Sequence, residues 1–302
     1  MKTPNGTLAG KIQAGEFVIL AEYLPPAAAD GSAIKAAIAA MGNSLAAVNV
    51  ADNHDGIGTS SIAASAALLG MGPDPVYQVV TRDRNRIALQ SDLLGAAALG
   101  IRNVLCTSGN HQTLTKCPDS ANVYDIDAIQ LIWTVKQMCD KGTLLDGTPI
   151  TGKFSMLVGT VVNPYLKPME LNMIQLAKKV EAGADFVQTH PVFDVDGFSA
   201  WLAAARKENV VDKTAVIAGV LPLAGAEEAE KLRTSHTDLC IPESVVERLK
   251  AAGKPDAQEK EGLRICAEVI GKLKAMKGVR GIHIVSGGKE GIVQKLRAAA
   301  GL

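Results

Sequence analysis

The fold is decided by the stretch from residue 45 to residue 81, which reads LAAVNVA over 45–51, SSIAASAALLGM over 60–71 and VYQVVT over 76–81. The first and third pieces are short, almost continuous apolar runs without the alternation of a half-exposed sheet. Such runs are typical of parallel strands that are covered on both faces. The Ala-rich middle piece has helical character. The stretch therefore predicts a β–α–β unit, because parallel neighbours need a crossover connection.

The same unit recurs along the chain. The predicted strands are Glu16–Leu24, Leu45–Ala51, Val76–Thr81, Asn103–Thr107, Phe154–Val162, Asp185–Thr189, Ala215–Leu221 and Gly281–Val285. The predicted helices are Ser32–Met41, Ser60–Met71, Asn85–Leu99, Asp125–Met138, Met169–Ala182, Phe198–Lys207, Ala224–Leu232 and Lys289–Ala300, with Pro242–Ala252 and Gln258–Met276 added between strands 7 and 8. No Pro/Gly/Ser-rich linker divides the chain. We therefore predict an α/β fold of one domain over residues 1–302, a (β/α)8 TIM barrel with extra helices between strands 7 and 8.

The composition argues against several classes of protein. Lys and Arg together number 31, as do Asp and Glu, so the zero net charge disfavours nucleic acid as the main ligand. The five cysteines form no C-x-x-C pair, which argues against a zinc ribbon or an iron–sulfur cluster on this chain, and we predict no metal site. The N-terminus lacks an apolar signal segment, and no run reaches about 18 apolar residues. We expect a cytoplasmic protein without a membrane span.

The most informative strand end is Ala21-Glu22-Tyr23-Leu24-Pro25-Pro26. Barrel enzymes carry their chemistry on the loops after the C-terminal ends of the strands. A carboxyl group inside this apolar run is expected to be desolvated, which raises the pKa of Glu22 towards that of a general acid near neutral pH. An ion pair across the barrel mouth, or an outward orientation beside the prolines, would explain the same residue without catalysis.

Polar residues also follow other predicted strands. The fourth strand leads into Ser108-Gly109-Asn110-His111-Gln112, the fifth into Asn163 and the sixth into His190. A glycine lets a ligand approach the backbone, while amide and imidazole groups donate and accept hydrogen bonds. The last strand leads into Ser286-Gly287-Gly288-Lys289, which suits a phosphate site and a tight turn equally. These strand ends predict a recognition site and leave its ligand open.

Motifs along nearly the whole chain, from Glu16 to Leu302, resemble the methylenetetrahydrofolate reductases, and most of all the short reductases of acetogenic and related anaerobic bacteria. The motifs are Ala21–Pro26, Ser108–Gln112, Tyr124–Asp127, Val162–Pro164, Lys178–Asp185 and Gly219–Leu223. The resemblance implies an oxidoreductase of one-carbon metabolism, a flavin-bearing barrel that reduces 5,10-methylenetetrahydrofolate to 5-methyltetrahydrofolate.

In this resemblance Glu22 matches the acidic residue that helps to open the five-membered ring of the folate. Hydride from N5 of the reduced flavin reaches the methylene carbon only after the ring has opened to an iminium. Opening requires a proton on the departing nitrogen, and a positioned acid contributes about 10²–10⁴ in rate. The resemblance therefore implies that Glu22 is the catalytic residue.

The resemblance also implies two groups of binding residues. The flavin would contact Asn49, Gln78, Ser108, Gly109, Asn110, His111, Tyr124, Asp125, Asn163, Asn172, Gln175 and Lys179, with Lys179 on its phosphate. The folate would contact Glu22, Asn110 and His190. Asn110 stands where the family usually has an Asp, and His190 where it usually has a Gln. Because an amide accepts at only one atom, we expect Asn110 to weaken folate binding or to suit a different one-carbon carrier. His190 would restore an acceptor if neutral, or add positive charge beside the reduced flavin if protonated.

Two other functions stay open. A pterin-binding methyltransferase barrel would need no flavin, and a non-catalytic subunit of an electron-transfer complex would have altered pterin specificity. The sequence does not distinguish FAD from FMN, NADH from reduced ferredoxin as donor, or one reaction direction from the other. We expect an oligomer. Any iron–sulfur or zinc centre must come from a partner subunit, because this chain has no cysteine cluster.

Overall fold

The computed structural model describes residues 7–42 and 44–302 and shows a closed barrel of eight strands in sequence order. The strands are β1 (Val18–Tyr23), β2 (Ala47–Val50), β3 (Asp74–Val80), β4 (Asn103–Thr107), β5 (Leu157–Val162), β6 (Phe186–Pro191), β7 (Ala215–Val220) and β8 (Val279–Ile284). Each strand pairs in parallel with its two neighbours, and β8 closes on β1. The predicted TIM barrel is confirmed.

Helices cover the outside of the barrel. They are α1 (Thr7–Gln13), α2 (Ser32–Met41), α3 (Ser61–Leu68), α4 (Arg86–Leu99), α5 (Ala128–Lys141), α6 (Met169–Glu181), α7 (Val195–Lys207), α8 (Ala226–Ser235), α9 (Glu243–Ala251), α10 (Pro255–Ala275) and α11 (Ile292–Ala300). The described residues also form two short 3-10 helices, at Gln112–Leu114 and Thr237–Leu239. The extra helices predicted between strands 7 and 8 are α9 and α10.

Helix α1, which closes the N-terminal end of the barrel, is not among the helices predicted from the sequence. Leu8 and Ala9 are fully buried there, and the Leu8 N–H donates to Asp74 Oδ2 at 2.9 Å. With only seven residues, the helix is too short to show an amphipathic period. Residues 1–6, where we expect no signal segment, lie outside the described residues. Within the described part of the chain, no helix has both the length and the apolarity to span a membrane.

A contact between two strands that are not neighbours shows which side chains point into the barrel. Asn49 of β2 donates from Nδ2 to Oε1 of Gln188 in β6 at 3.3 Å. Both side chains therefore point into the barrel. Glu22 is the register partner of Asn49 and points to the same side, because paired residues of parallel strands share a face. The neighbouring Ala21 and Tyr23 pack outwards with the helices.

Candidate active site

Glu22 lies at the carboxyl end of β1 and faces the barrel mouth. Burial is the main influence on its carboxyl group and raises its pKa, while attraction to His54 and a hydrogen bond from the Gly287 N–H act in the opposite direction. Among the described residues, Glu22 forms no ion pair with Lys or Arg. Neither of the two explanations without catalysis therefore applies. The geometry leaves a carboxyl group at the barrel mouth that holds its proton more firmly than usual.

Below the mouth lies a layer of neutral polar side chains. Asn49 and Gln188 are each 3% exposed, and Asn49 Oδ1 and Gln188 Nε2 have no hydrogen-bond partner in the described part of the chain. Gln78 of β3 faces the same interior, because its register partner Leu105 belongs to the interior cluster. His283 of β8 is also buried, and burial lowers its pKa to about 4, so it is neutral at physiological pH. Unpaired buried polar atoms are rare and call for an explanation.

A cleft of about 220 Å³ opens beside this layer, between β5, β6, α6 and the 3-10 helix Thr237–Leu239. Lys179 reaches into it and donates from Nζ to the Val161 carbonyl at 2.7 Å. Burial lowers the pKa of Lys179, although Asp127 acts to raise it. His190 lies at the same cleft, and partial burial lowers its pKa against the opposing influence of Asp238. The cleft thus holds a cation, an imidazole and a carboxylate.

Three predicted amides line this cleft. Asn163 donates from Nδ2 to the Asp238 carbonyl at 3.1 Å and to Asp238 Oδ2 at 3.0 Å, and its Oδ1 accepts from the Tyr165 N–H. Asn172 is buried and donates to the Asn163 carbonyl at 2.8 Å. Gln175 is exposed at the edge of the cleft. Asn163 and Asn172 therefore shape the cleft wall, whereas Gln175 keeps its amide accessible.

The loop after β4 contributes mainly backbone to the rim. Gly109 has φ +77, and a Cβ there would lie 3.2 Å from Val80 Cβ, so the chain requires glycine at this point. The Tyr124 hydroxyl donates to the Gly109 carbonyl at 3.4 Å. The Ser108 carbonyl accepts from the Arg82 N–H, and the Asn110 carbonyl accepts from Arg82 Nη1. The Asn110 side chain remains exposed.

Two predicted contacts of the cofactor are engaged in local structure. The His111 ring lies 2.9 Å from Thr113 Oγ1 and 2.9 Å from Asn122 Nδ2, and it caps the 3-10 helix Gln112–Leu114. Asp125 forms an ion pair with Arg86 at 2.8 Å. Hydrogen bonds from the side chain and backbone of Arg86 lower the pKa of Asp125 to about 2. Neither side chain belongs to the cleft or to the interior polar layer.

The sequence analysis did not single out the run Thr81-Arg82-Asp83-Arg84-Asn85-Arg86 after β3. Here three arginines bind four carboxylates: Arg82 pairs with Asp83, Arg84 with Asp52 and Asp92, and Arg86 with Asp125. Arg82 is 2% exposed and also donates to the Asn53 carbonyl at 2.8 Å. The signal available in the sequence was the alternation of Arg with Asp or Asn directly after a strand. This alternation indicates a loop fixed by ion pairs, but it does not indicate which part of the site the loop positions.

The loop after β8 turns out to be a tight turn that supports Glu22. Ser286 Oγ donates to the Glu22 carbonyl at 3.2 Å and accepts from the Gly288 N–H at 3.3 Å. Lys289 is directed to Glu228, with its Nζ 3.4 Å from Oε1. The N–H of Gly287 hydrogen-bonds to the Glu22 carboxyl group. This loop therefore serves Glu22 in the structure, and its lysine has an anionic partner.

The donor set fits a flavin. The pyrimidine edge of a flavin alternates carbonyl and N–H groups, so it offers a donor to an acceptor such as Asn49 Oδ1 and an acceptor to a donor such as Gln188 Nε2. Within the described residues, Lys179 Nζ donates to the Val161 carbonyl and keeps further N–H groups for a phosphate. These contacts are common to FAD and FMN. Among the described residues, no group of three His, Cys, Asp or Glu side chains is arranged to hold a metal ion.

Comparison with known proteins identifies the relatives of the chain. The family model described as methylenetetrahydrofolate reductase matches residues 7–301. A probable methylenetetrahydrofolate reductase (NADPH) of Caenorhabditis elegans is 23% identical over 252 residues, which are 83% of this chain and 36% of the relative. The 5,10-methylenetetrahydrofolate reductase of Buchnera aphidicola subsp. Schizaphis graminum is 22% identical over 204 residues, or 67% of this chain and 63% of the relative. The chain thus spans less than two thirds of either curated relative.

A solved structure shares the fold. It is an uncharacterized protein from Clostridium thermocellum that binds two copies of 5-methyl-5,6,7,8-tetrahydrofolic acid. The TM-score is 0.66 at 14% identity, and the match covers 97% of this chain and 98% of the other. The likeness supports the barrel assignment.

Proposed function

Because the chain belongs to the methylenetetrahydrofolate reductase family, we propose that it is a flavin-dependent enzyme that reduces 5,10-methylenetetrahydrofolate to 5-methyltetrahydrofolate. The observation that carries the proposal is Glu22, a desolvated carboxyl group without a cationic Lys or Arg partner among the described residues, at the mouth of the barrel. The family is one of oxidoreductases, and its reaction needs an acid at this place. The solved relative that binds methyltetrahydrofolate supports a folate as the substrate.

In this proposal Glu22 delivers the proton that opens the five-membered ring of the substrate. The raised pKa keeps the carboxyl group protonated closer to neutral pH, where a normal Glu is ionised. The Gly287 N–H acts in the opposite direction and limits this rise. Proton delivery to the departing nitrogen leaves a carbon that is ready to accept hydride.

The residues that would hold the flavin fall on two sides of the mouth. Asn49, Gln78 and Gln188 would meet its pyrimidine edge, and Lys179 with Gln175 would meet the phosphate side. A flavin bound there supplies the hydride, while this chain supplies position and electrostatics. The resemblance alone places His111, Tyr124 and Asp125 at the cofactor, and those contacts stay predictions.

The proposed electron donor is NADH or reduced ferredoxin. An iron–sulfur or zinc-binding partner subunit is compatible with reduced ferredoxin as the donor. Both the oligomer and the cytoplasmic location stay predictions. By microscopic reversibility, the same residues serve the oxidation of methyltetrahydrofolate. The physiological direction of the reaction is therefore set by the electron donor.

The test is a visible absorption spectrum of the purified protein, followed by anaerobic addition of methyltetrahydrofolate. We expect an oxidised flavin band that bleaches on addition, because the folate returns its hydride to the bound cofactor. A flavin band that persists would contradict the substrate. A protein without a flavin band that also takes up no FAD or FMN would contradict the proposal and favour methyl transfer or a binding subunit.

A further inference from the structure

We propose that Asp238 is the residue that selects the pterin, by accepting hydrogen bonds from the amino group and ring N–H of its pyrimidine edge. The inference rests on the proposed function, since it assigns the substrate contact within the same site. Asp238 lies in the 3-10 helix Thr237–Leu239, in the connection between β7 and β8. None of the sequence motifs includes it. Only the folded chain brings it to the cleft.

The position of Asp238 is fixed by contacts that are distant in sequence. Asn163 Nδ2 donates to both Oδ2 and the carbonyl of Asp238, across 75 positions of the chain. The Oδ2 atom lies 3.6 Å from Nδ1 of His190, the residue that the family resemblance places at the pterin. That distance is too long for a hydrogen bond. Asp238 and His190 are therefore neighbours at the cleft without being bound to each other.

The acceptor capacity of Asp238 is largely unused. Within residues 7–42 and 44–302, its side chain accepts a hydrogen bond only from Asn163, and its Oδ1 accepts none. Its one ion-pair neighbour in this part of the chain is His190, whose pKa is lowered. The side chain is 42% exposed, and it lines the same cleft as Lys179. A carboxylate with a free oxygen binds a pair of N–H donors well.

The hydrogen-bonding groups of the pterin and of the flavin decide which of the two ligands Asp238 would contact. A pterin presents an amino group next to a ring N–H, which is a double donor and matches a carboxylate in the way that a guanidinium does. A flavin presents a single N–H between two carbonyl oxygens. Those two oxygens would repel a carboxylate. The free Asp238 oxygen is therefore directed to the pterin and not to the cofactor.

This assignment also explains how the site functions with Asn110. The amide of Asn110 offers one acceptor atom, whereas a carboxylate offers two. Asp238 restores a carboxylate at the cleft from a different part of the chain. The specificity for the pterin would then depend on the β7–β8 connection and not on the loop after β4.

The experiment compares Asp238→Asn with wild type by two readouts that do not depend on turnover. The first is the ratio of bound flavin to protein, and the second is the Kd of methyltetrahydrofolate from anaerobic titration. We expect an unchanged flavin ratio and a Kd raised about tenfold to a hundredfold, since the pterin loses a charged hydrogen-bond acceptor. Asp256→Asn, an exposed Asp to Asn change in the same connection, is the matched control and should leave both readouts unchanged.

A second ligand sharpens the assignment. An analogue of methyltetrahydrofolate without the 2-amino group should bind wild type more weakly by about tenfold, and should bind Asp238→Asn nearly as well as the parent folate. The proposal would be overturned if removal of the 2-amino group weakened binding equally in wild type and in Asp238→Asn. A variant that binds folate normally, or one that loses its flavin, would also overturn it. Failure of wild type to bind either flavin or folate would instead contradict the proposed function.

Discussion

The two sides of the barrel mouth treat their carboxylates in opposite ways. On the paired rim, formed by the loops after β2, β3 and β4, Asp52, Asp83 and Asp125 each bind an arginine. On the open rim, Glu22 and Asp238 have no Arg or Lys partner among the described residues. The difference separates carboxylates that hold loops together from those available to a ligand.

The same contrast appears in proton affinity. Burial acts to raise the pKa of Asp83, but hydrogen bonds and charge from Arg82 outweigh it and the pKa is lowered. At Glu22 burial acts without such a partner, and the pKa is raised. The arginine beside Asp83 therefore favours the anion, whereas burial without an arginine favours the acid form of Glu22. The predictions below test this division, from the largest expected effect to the smallest.

The largest effect is expected for Glu22→Gln. The amide keeps the shape of the side chain but delivers no proton, so reductase activity should fall by about 10²–10⁴. The flavin content and Tm should stay close to those of wild type, because Glu22 joins no ion pair with Lys or Arg in the described part of the chain. Steady-state assays with methylenetetrahydrofolate measure the loss.

The pH dependence is the control for this variant. Because the pKa of Glu22 is raised, the acid form persists to higher pH, and wild-type reduction should decline as the pH rises through that value. Glu22→Gln should lack this decline. A variant with full activity, or one with the wild-type pH profile, would remove Glu22 from the mechanism.

On the paired rim, Arg82→Met should cause the largest loss of stability. The change leaves Asp83 and the Asn53 carbonyl without their buried donor, and breaking a buried pair costs about 3–5 kcal/mol. Urea unfolding measures the free energy of unfolding. The control is Arg264→Met, whose side chain is 64% exposed in an ion pair and should contribute about 1 kcal/mol or less. Equal losses in the free energy of unfolding of the two variants would contradict the structural role assigned to the arginines of the paired rim.

On the open rim, Lys179→Met should act on the ligand more than on the fold. We expect the affinity for flavin to fall about tenfold, because the phosphate loses a charged donor, while the free energy of unfolding changes by about 1 kcal/mol. Equilibrium dialysis against flavin measures the first quantity, and urea unfolding the second. The neighbouring Lys178→Met is the matched control, since Lys178 is exposed outside the cleft. The same flavin affinity in both variants would refute the phosphate contact.

The smallest effect is expected for Asp125→Asn, which breaks an exposed ion pair with Arg86. Because the pKa of Asp125 is lowered to about 2, its stabilising effect is present above the ordinary Asp pKa and is lost as the pH falls towards 2. The Tm should fall by no more than about 2 °C at neutral pH, and the gap should narrow in acid. If the ion pair is the whole role of Asp125, flavin affinity changes less than twofold. A larger loss would support the cofactor contact that the family resemblance implies for Asp125.

The sequence by itself determined the barrel. Eight apolar runs, each followed by a helical segment, are local patterns, and parallel strands covered on both faces carry that pattern in every strand. The sequence also identified Glu22 as a desolvated carboxyl group, because a carboxyl group inside an apolar run can be recognised without knowing its neighbours in space. Helix α1 was missed because seven residues show no period, and its burial depends on the closed barrel.

Only the tertiary structure decided which polar residues share a site. The Asn49–Gln188 contact joins opposite strands, and Asp238 reaches Asn163 and His190 from a connection that the sequence showed only as a gap between helices. It likewise assigned Asp125 to Arg86 and His111 to its own loop. The physical reason is that a residue pattern reports the local backbone, whereas burial and partner choice depend on side chains brought together from distant parts of the chain.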